Sequence, residues 1–181
     1  MRAANNVPPK EWTANYYVQR TQYPGTFLIA EGALVSKAAG GYDDAPGIWS
    51  KEQIEEWTKI IKKVHEKKSY IYVQLWSLGR LAAPDSLAKD NLPFVAPSGE
   101  LSADEDTKQA ALTANNPQQA LTKAELKQYV QDYVQAAQNA ISASADGIEI
   151  MAATGFLLNQ FLDPKSNHRT DEYGGSIENR S

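Results

Sequence analysis

Ala145 to Arg180 reads ADGIEIMAATGFLLNQFLDPKSNHRTDEYGGSIENR. Gly147 to Ala153 is a short, mostly apolar run directly after Asp146, the pattern of a strand buried on both faces in a parallel sheet. Gly155 permits an unusual backbone angle where the chain leaves that strand. Apolar side chains at Leu157, Leu158, Phe161 and Leu162 then suit a short packed helix, which Pro164 ends. Asp163 to Gly175 is polar and turn-rich, and Ser176 is placed to cap a helix of which Ile177 to Ser181 are present, so the chain is expected to stop inside an element.

Upstream of this stretch, helix and strand patterns alternate. Glu11 to Arg20 reads as a helix after Pro8-Pro9, and Thr26 to Val35, with Phe27, Leu28, Ile29, Leu34 and Val35, as a strand. Gly40 to Gly47 is a glycine-rich loop, after which Ser50 and Gln53 form a capping box for a helix over Lys51 to Lys67 with a stripe of Ile54, Trp57, Ile61 and Val64. Ser69 to Leu78 reads as a strand ending at Gly79-Arg80. Leu81 to Ala120, punctuated by Pro84, Pro93, Pro97 and Asn115-Asn116-Pro117, predicts a long loop or lid over 81–121. Thr122 and Glu125 cap a helix over Lys123 to Ser144, with an expected inner face of Leu126, Tyr129, Val130, Tyr133, Val134, Ala137 and Ile141. The order predicts an α/β protein with a parallel sheet, and periodicity leaves a doubly wound sheet and a barrel both open.

Composition removes several classes of function. A chain of 181 residues with 42% hydrophobic content can bury one core, so one domain, or part of one, is expected. Its 18 Lys and Arg against 22 Asp and Glu give a net charge of -4 and no basic tract, so no nucleic-acid partner is expected. With 0 cysteines, disulfides, thiol nucleophiles and thiolate metal sites are excluded, and His65 and His168 are too few for a histidine-rich metal centre. His65, beside Lys62, Lys63, Lys67 and Lys68, reads as part of a solvated helix face, and His168 in a polar loop carries no role. Met1 to Asn6 lacks an apolar signal core and no run is long enough to span a membrane, which predicts a soluble cytoplasmic protein.

Several motifs stand together in one order. They are Glu31-Gly32, Gly40-Gly41-Tyr42-Asp43, Val73-Gln74-Leu75-Trp76, Gly79-Arg80, Asn115-Asn116-Pro117, Asn159-Gln160-Phe161-Leu162-Asp163-Pro164, and Arg169 through Arg180. In this order the chain resembles the old yellow enzymes, FMN-dependent NADPH dehydrogenases that reduce activated alkenes. The resemblance implies a partial (β/α)8 TIM barrel carrying strands two, three and four with their helices, and lacking strand one and strands five to eight. It further implies that Gly32 and Gln74 meet the flavin ring. A glycine lets a flat ring approach the backbone, and an amide both donates and accepts. Tyr42 and Trp76 resemble residues lining the substrate pocket. In such barrels the loops after strands seven and eight hold the phosphate, so this chain alone is expected to bind FMN poorly.

At the reactive positions the resemblance breaks. The family carries a histidine, an asparagine and a tyrosine there; this chain has Met151, Thr154 and Phe156. In the family the flavin delivers hydride to the β-carbon of an enone, the histidine and asparagine hydrogen-bond its carbonyl oxygen, and the tyrosine protonates the α-carbon. A thioether is a weak acceptor, a threonine offers one hydroxyl, and phenylalanine has no proton to give. These substitutions imply impaired or absent reductase activity, in a pocket made inert or retuned for an apolar ligand. Two other readings remain: a non-catalytic half-barrel that self-associates or complements another half, and a flavin-free protein binding a small enone-like molecule.

Overall fold

The computed structural model describes residues 6–8, 10–100 and 102–180; Met1 to Asn5, on which the signal-peptide reading rests, lie outside them. In chain order the elements are α1 (Lys10–Val18), β1 (Phe27–Leu34), α2 (Lys51–His65), β2 (Tyr70–Trp76), a 3-10 turn (Gly79–Leu81), α3 (Pro84–Lys89), β3 (Val95–Ala96), α4 (Glu105–Thr113), β4 (Gln119–Ala120), α5 (Lys123–Ser142), β5 (Gly147–Ile150), α6 (Leu157–Leu162) and α7 (Ile177–Arg180). They divide into two compact units. One holds the described residues up to Lys37, Asp43–Leu75 and Val130–Ile150; the other holds Ala38–Tyr42, Trp76–Tyr129 and the described residues from Met151.

In the first unit the strand order is β1-β2-β5, with β2 central and paired in parallel to β5. Alternation along β2 buries Ile71, Val73 and Leu75 and leaves Tyr70, Tyr72 and Gln74 on the other face, as a period of two requires. The capping box before α2 forms as expected: the Gln53 N–H donates to Ser50 Oγ and the Ser50 N–H to Gln53 Oε1. The buried stripe of α2 is Trp57, Ile60, Ile61 and Val64; Ile54 is only half-buried, and Ile60 takes the place expected for it. Helix α1 packs on α2, where Tyr17 and Trp57 bring their rings to 6.5 Å.

Two expectations for this unit are corrected. The strand expected over Gly147 to Ala153 is only β5, and it is half-buried with Ile150 51% exposed, because β5 is an outer strand with a neighbour on one side only. The buried positions in the C-terminal part of α5 and just beyond it are Ala136, Ala140, Ala143 and Ala145, while Val130, Val134 and Ile141 are exposed. Small residues let a helix approach its neighbours closely, so size was a poor guide to which stripe faces inward.

In the second unit the segment 81–121, expected as a long loop or lid, is not an unstructured loop. That segment holds the 3-10 turn, α3, α4 and the parallel pair β3–β4, with Val95 opposite Gln119 and Ala96 opposite Ala120. Its polar composition is folded by buried amides. Asn116 Oδ1 accepts the Phe94 N–H while its Nδ2 donates to the carbonyls of Pro84 and Leu92. Val95, Leu121, Leu126 and Leu157 form a core against which Tyr129, Phe161 and Tyr173 pack. The Thr122–Glu125 cap forms, as does the Ser176 cap of α7 through the Asn179 N–H.

Candidate functional site

Gly32 lies half-buried in β1, and Gln74 half-buried in β2 opposite Glu149 of β5; all three belong to the first unit. Gln74 Nε2 donates to Glu149 Oε1 at 2.6 Å. This bond commits one amide hydrogen and leaves the second N–H and the carbonyl oxygen without partners among the described residues. One donor and one acceptor on a fixed amide fit the alternating edge of a flavin pyrimidine ring. Glu149 was not singled out in the sequence, although it is the charged residue in the otherwise apolar Gly147–Ile150.

The second unit holds Tyr42, Trp76, Met151, Thr154 and Phe156. Trp76 meets Phe156 edge to face, with centroids 4.5 Å apart and planes at 85°, and Tyr42 stands 6.1 Å from Trp76. Backbone bonds bring these rings together: Leu78 donates to the Ala39 carbonyl, Ala83 to that of Gly41, and Leu157 to that of Ser77. Met151 is half-buried and Thr154 exposed. Gly155 adopts φ +82, as the sequence suggested, and Thr154 adopts φ +56, where a β-branched residue is unfavourable. The cluster offers flat apolar surface, and neither Met151 nor Phe156 supplies a proton donor.

Gln160 organises this region and went unrecognised in the sequence. Only 1% exposed, it accepts the Arg80 N–H on Oε1 at 3.1 Å and donates from Nε2 to the carbonyls of Leu78 and Gly155 at 2.9 and 2.7 Å. Its signal was position, three residues after Leu157 on the buried side of α6.

Elsewhere in this unit a shallow cavity of about 410 Å³ is lined by Pro97, Ser98, Leu121, His168, Arg169 and Asp171, among others. Arg169 forks onto the Asp171 carboxylate and donates to the Pro97 and Leu121 carbonyls, and its guanidinium holds the Asp171 carboxyl below its ordinary range. His168 is exposed, 3.9 Å from Glu100. In the first unit His65, on a partly exposed helix face, places Nε2 2.9 Å from Asp146 Oδ2, which also accepts the Ile71 N–H at 2.8 Å. Among the described residues no group of three or more His, Asp or Glu converges to hold a metal ion, and no helix is long and apolar enough to cross a membrane.

Comparison with known proteins gives this geometry its setting. The model of the NADH:flavin oxidoreductase / NADH oxidase family matches residues 1–181, and the chain belongs to that family. It is 57% identical to Enoate reductase 1 of Kluyveromyces lactis across 100% of the chain and 46% of that relative. It is 42% identical to a protein of Epichloe festucae var. lolii named probable inactive reductase easA, across 99% of the chain and 45% of the relative. The crystal structure of Old Yellow Enzyme from Pichia sp. AKU4542 superposes with a TM-score of 0.95 at 43% identity, covering 99% of this chain and 46% of that one. The chain thus spans about half the length of these relatives, and its fold is that of a partial old yellow enzyme TIM barrel.

Proposed function

We propose that this chain carries the substrate-side half of an FMN-dependent, NADPH-linked enone oxidoreductase whose reductase chemistry is weak. The observation that carries the reading is the aromatic cluster of Tyr42, Trp76 and Phe156, together with the side chains of Met151 and Phe156 at the reactive positions, which supply neither a carbonyl donor nor an acid. Bound FMN would supply hydride transfer. Gly32 would let its ring approach the backbone, and Gln74, held by Glu149, would orient the ring edge. The chain's own contribution is then to seat a flat, apolar substrate. Relatives named probable inactive are compatible with such a loss.

The test joins this chain to the C-terminal half of a family barrel and compares cyclohexenone reduction at equal FMN content with and without Met151→His, Thr154→Asn and Phe156→Tyr. An oxyanion donor contributes about 2.7–4 kcal/mol and a general acid roughly 10²–10⁴ in rate, so the triple change should raise turnover by several orders of magnitude. Equal rates would sink the reading.

A second reading rests on β1 and β5 as outer strands and on exposed Phe27, Ile29, Val130, Val134 and Ile141 in the first unit. Such surfaces favour self-association or docking of a complementary half-barrel. Light scattering by the isolated chain showing a monodisperse 19.9 kDa species with cooperative melting would exclude it.

A further inference from the structure

Tyr42 lies in no helix or strand, so its place against Trp76 depends on what holds the segment Ala38–Tyr42 of the second unit. Three carbonyls of that segment are gripped. The Tyr129 hydroxyl donates to Ala38 at 2.9 Å, the Leu78 N–H to Ala39 at 3.0 Å and the Ala83 N–H to Gly41 at 3.2 Å. Gly41 lets the segment lie tight: at φ +113, a Cβ there would stand 2.6 Å from the Ala82 Cβ. Leu78 and Ala83 donate from their backbone, which any residue but proline could do. The bond to Ala38 is different, because it needs a side chain of the right length from α5, 91 positions away in sequence.

The Tyr129 ring is anchored where it can carry that bond. It packs against the core of Val95, Leu121, Leu126 and Leu157, and Leu157 directly follows Phe156 in the chain. One tyrosine therefore rests its ring on the core that seats the Phe156 segment and its hydroxyl on the segment that carries Tyr42. Trp76 meets both of the rings so held, at 6.1 Å from Tyr42 and 4.5 Å from Phe156. A connecting segment has no ladder of backbone bonds to fix it, so a single side-chain bond decides more of its position than it would in a strand or helix.

We propose that Tyr129 is a positioning residue of the aromatic cluster: its hydroxyl fixes Ala38–Tyr42 so that the Tyr42 ring stands against Trp76. Packing on the core needs only the ring, which phenylalanine also has, so the hydroxyl is the part assigned to the site. Its consequence for a ligand rests on reading the cluster as the substrate side of the protein. The placement of the rings does not.

The test incorporates 5-fluorotryptophan into the 181-residue chain and follows the fluorine resonance of Trp76, one of 4 tryptophans, identified by its loss in Trp76→Phe. Tyr42→Leu removes the neighbouring ring and gives the reference displacement. Tyr129→Phe should move the Trp76 resonance in the same direction, leave the other three tryptophan resonances in place, and add little in the Tyr42→Leu background. Replacing Tyr129 with 4-aminophenylalanine, which keeps the ring and returns a donor, should restore the parent position. An unmoved Trp76 resonance in Tyr129→Phe, equal shifts at the other tryptophans, a full further shift in the Tyr42→Leu background, or no recovery with the amine would each overturn the assignment. So would a Tyr129→Phe chain that circular dichroism shows to be unfolded while the amine variant folds, because the hydroxyl would then serve the fold at large; failure of both to fold would place Tyr129 in the core alone and overturn it equally. The resonance is read without flavin or substrate, so this proposal and the reductase reading fail separately.

Discussion

The Trp76 indole and the Phe156 ring meet edge to face at 4.5 Å and 85°. This contact joins the end of β2 to the residue that precedes α6. An edge-to-face pair contributes about 0.5–1.5 kcal/mol beyond the area it buries. A double-mutant cycle of Trp76→Leu and Phe156→Leu, read by chemical denaturation, should return a coupling of that size. Additive losses would mean that the two rings touch without stabilising one another.

Thr154 is the β-branched residue among the described non-glycine positions of positive φ, at +56. An L-residue there costs roughly 1–2 kcal/mol, and asparagine tolerates the conformation better because its short side chain bonds locally. Thr154→Asn and Thr154→Gly should each raise the melting temperature by about 2–4 °C per kcal/mol recovered, for a chain of this size. Thr154→Val should give no gain.

These cases mark how far the sequence reached. Strand and helix positions were legible because β2 and α2 have strong periods and α2 and α5 begin at capping boxes. Tyr42, Trp76 and Phe156, singled out together in the sequence, have rings that do meet. What escaped was set by tertiary contacts. Segment 81–121 reads as a loop because its order depends on buried amides such as Asn116, whose partners at Pro84, Leu92 and Phe94 are distant in sequence. Glu149 and Gln160 carry no local pattern that reveals what they hold. The alanine stripe of α5 escapes because apolar size alone points to its larger neighbours.

In the first unit Asp146 bonds both His65 and the Ile71 N–H, whereas His65 has the one partner. Asp146→Ala leaves a part-buried backbone donor at the start of β2 unpaired and should cost about 1–3 kcal/mol. His65→Ala removes a partly exposed pair and should cost about 1 kcal/mol or less. Urea unfolding of the two variants checks the order, and an equal or reversed ranking would show that the backbone bond is not what Asp146 contributes.

The Asp171 carboxyl is depressed chiefly by the hydrogen-bonded Arg169 guanidinium, opposed by partial burial and assisted by the Tyr173 N–H and Lys123. A carboxyl lowered in the folded state stabilises fully above its unfolded value, near pH 4, and that contribution fades as pH falls through the lower folded value. Acid melting from pH 5 downward should therefore be steeper in the parent chain than in Asp171→Asn. Arg169→Gln should flatten the same limb and lower stability at pH 7, since Arg169 is 10% exposed and also holds the Pro97 and Leu121 carbonyls. Parallel acid limbs in parent and variants would rule out the pair as their source.

Gly79 and Gln160 form one device. Gly79 sits at φ +59, and a Cβ there would stand 2.2 Å from Gln160 Oε1, the oxygen that accepts the Arg80 N–H. Gly79→Ala therefore acts twice. It imposes a left-handed conformation costing roughly 1–2 kcal/mol, and it displaces the amide, leaving buried groups unpaired at about 1–3 kcal/mol more. Gln160→Ala removes the amide outright, takes away the bonds it makes to the Gly155 carbonyl and the Arg80 N–H, leaves the Leu78 carbonyl with the Leu81 N–H alone, and should cost at least as much as the second part. Because the steric penalty of the alanine exists only while the amide is present, the double variant should lose about 1–3 kcal/mol less than the sum of the single losses. Equilibrium unfolding of the four proteins measures this directly. Strict additivity would show that Gly79 is required for its backbone angle alone, and that the amide tolerates a side chain against it.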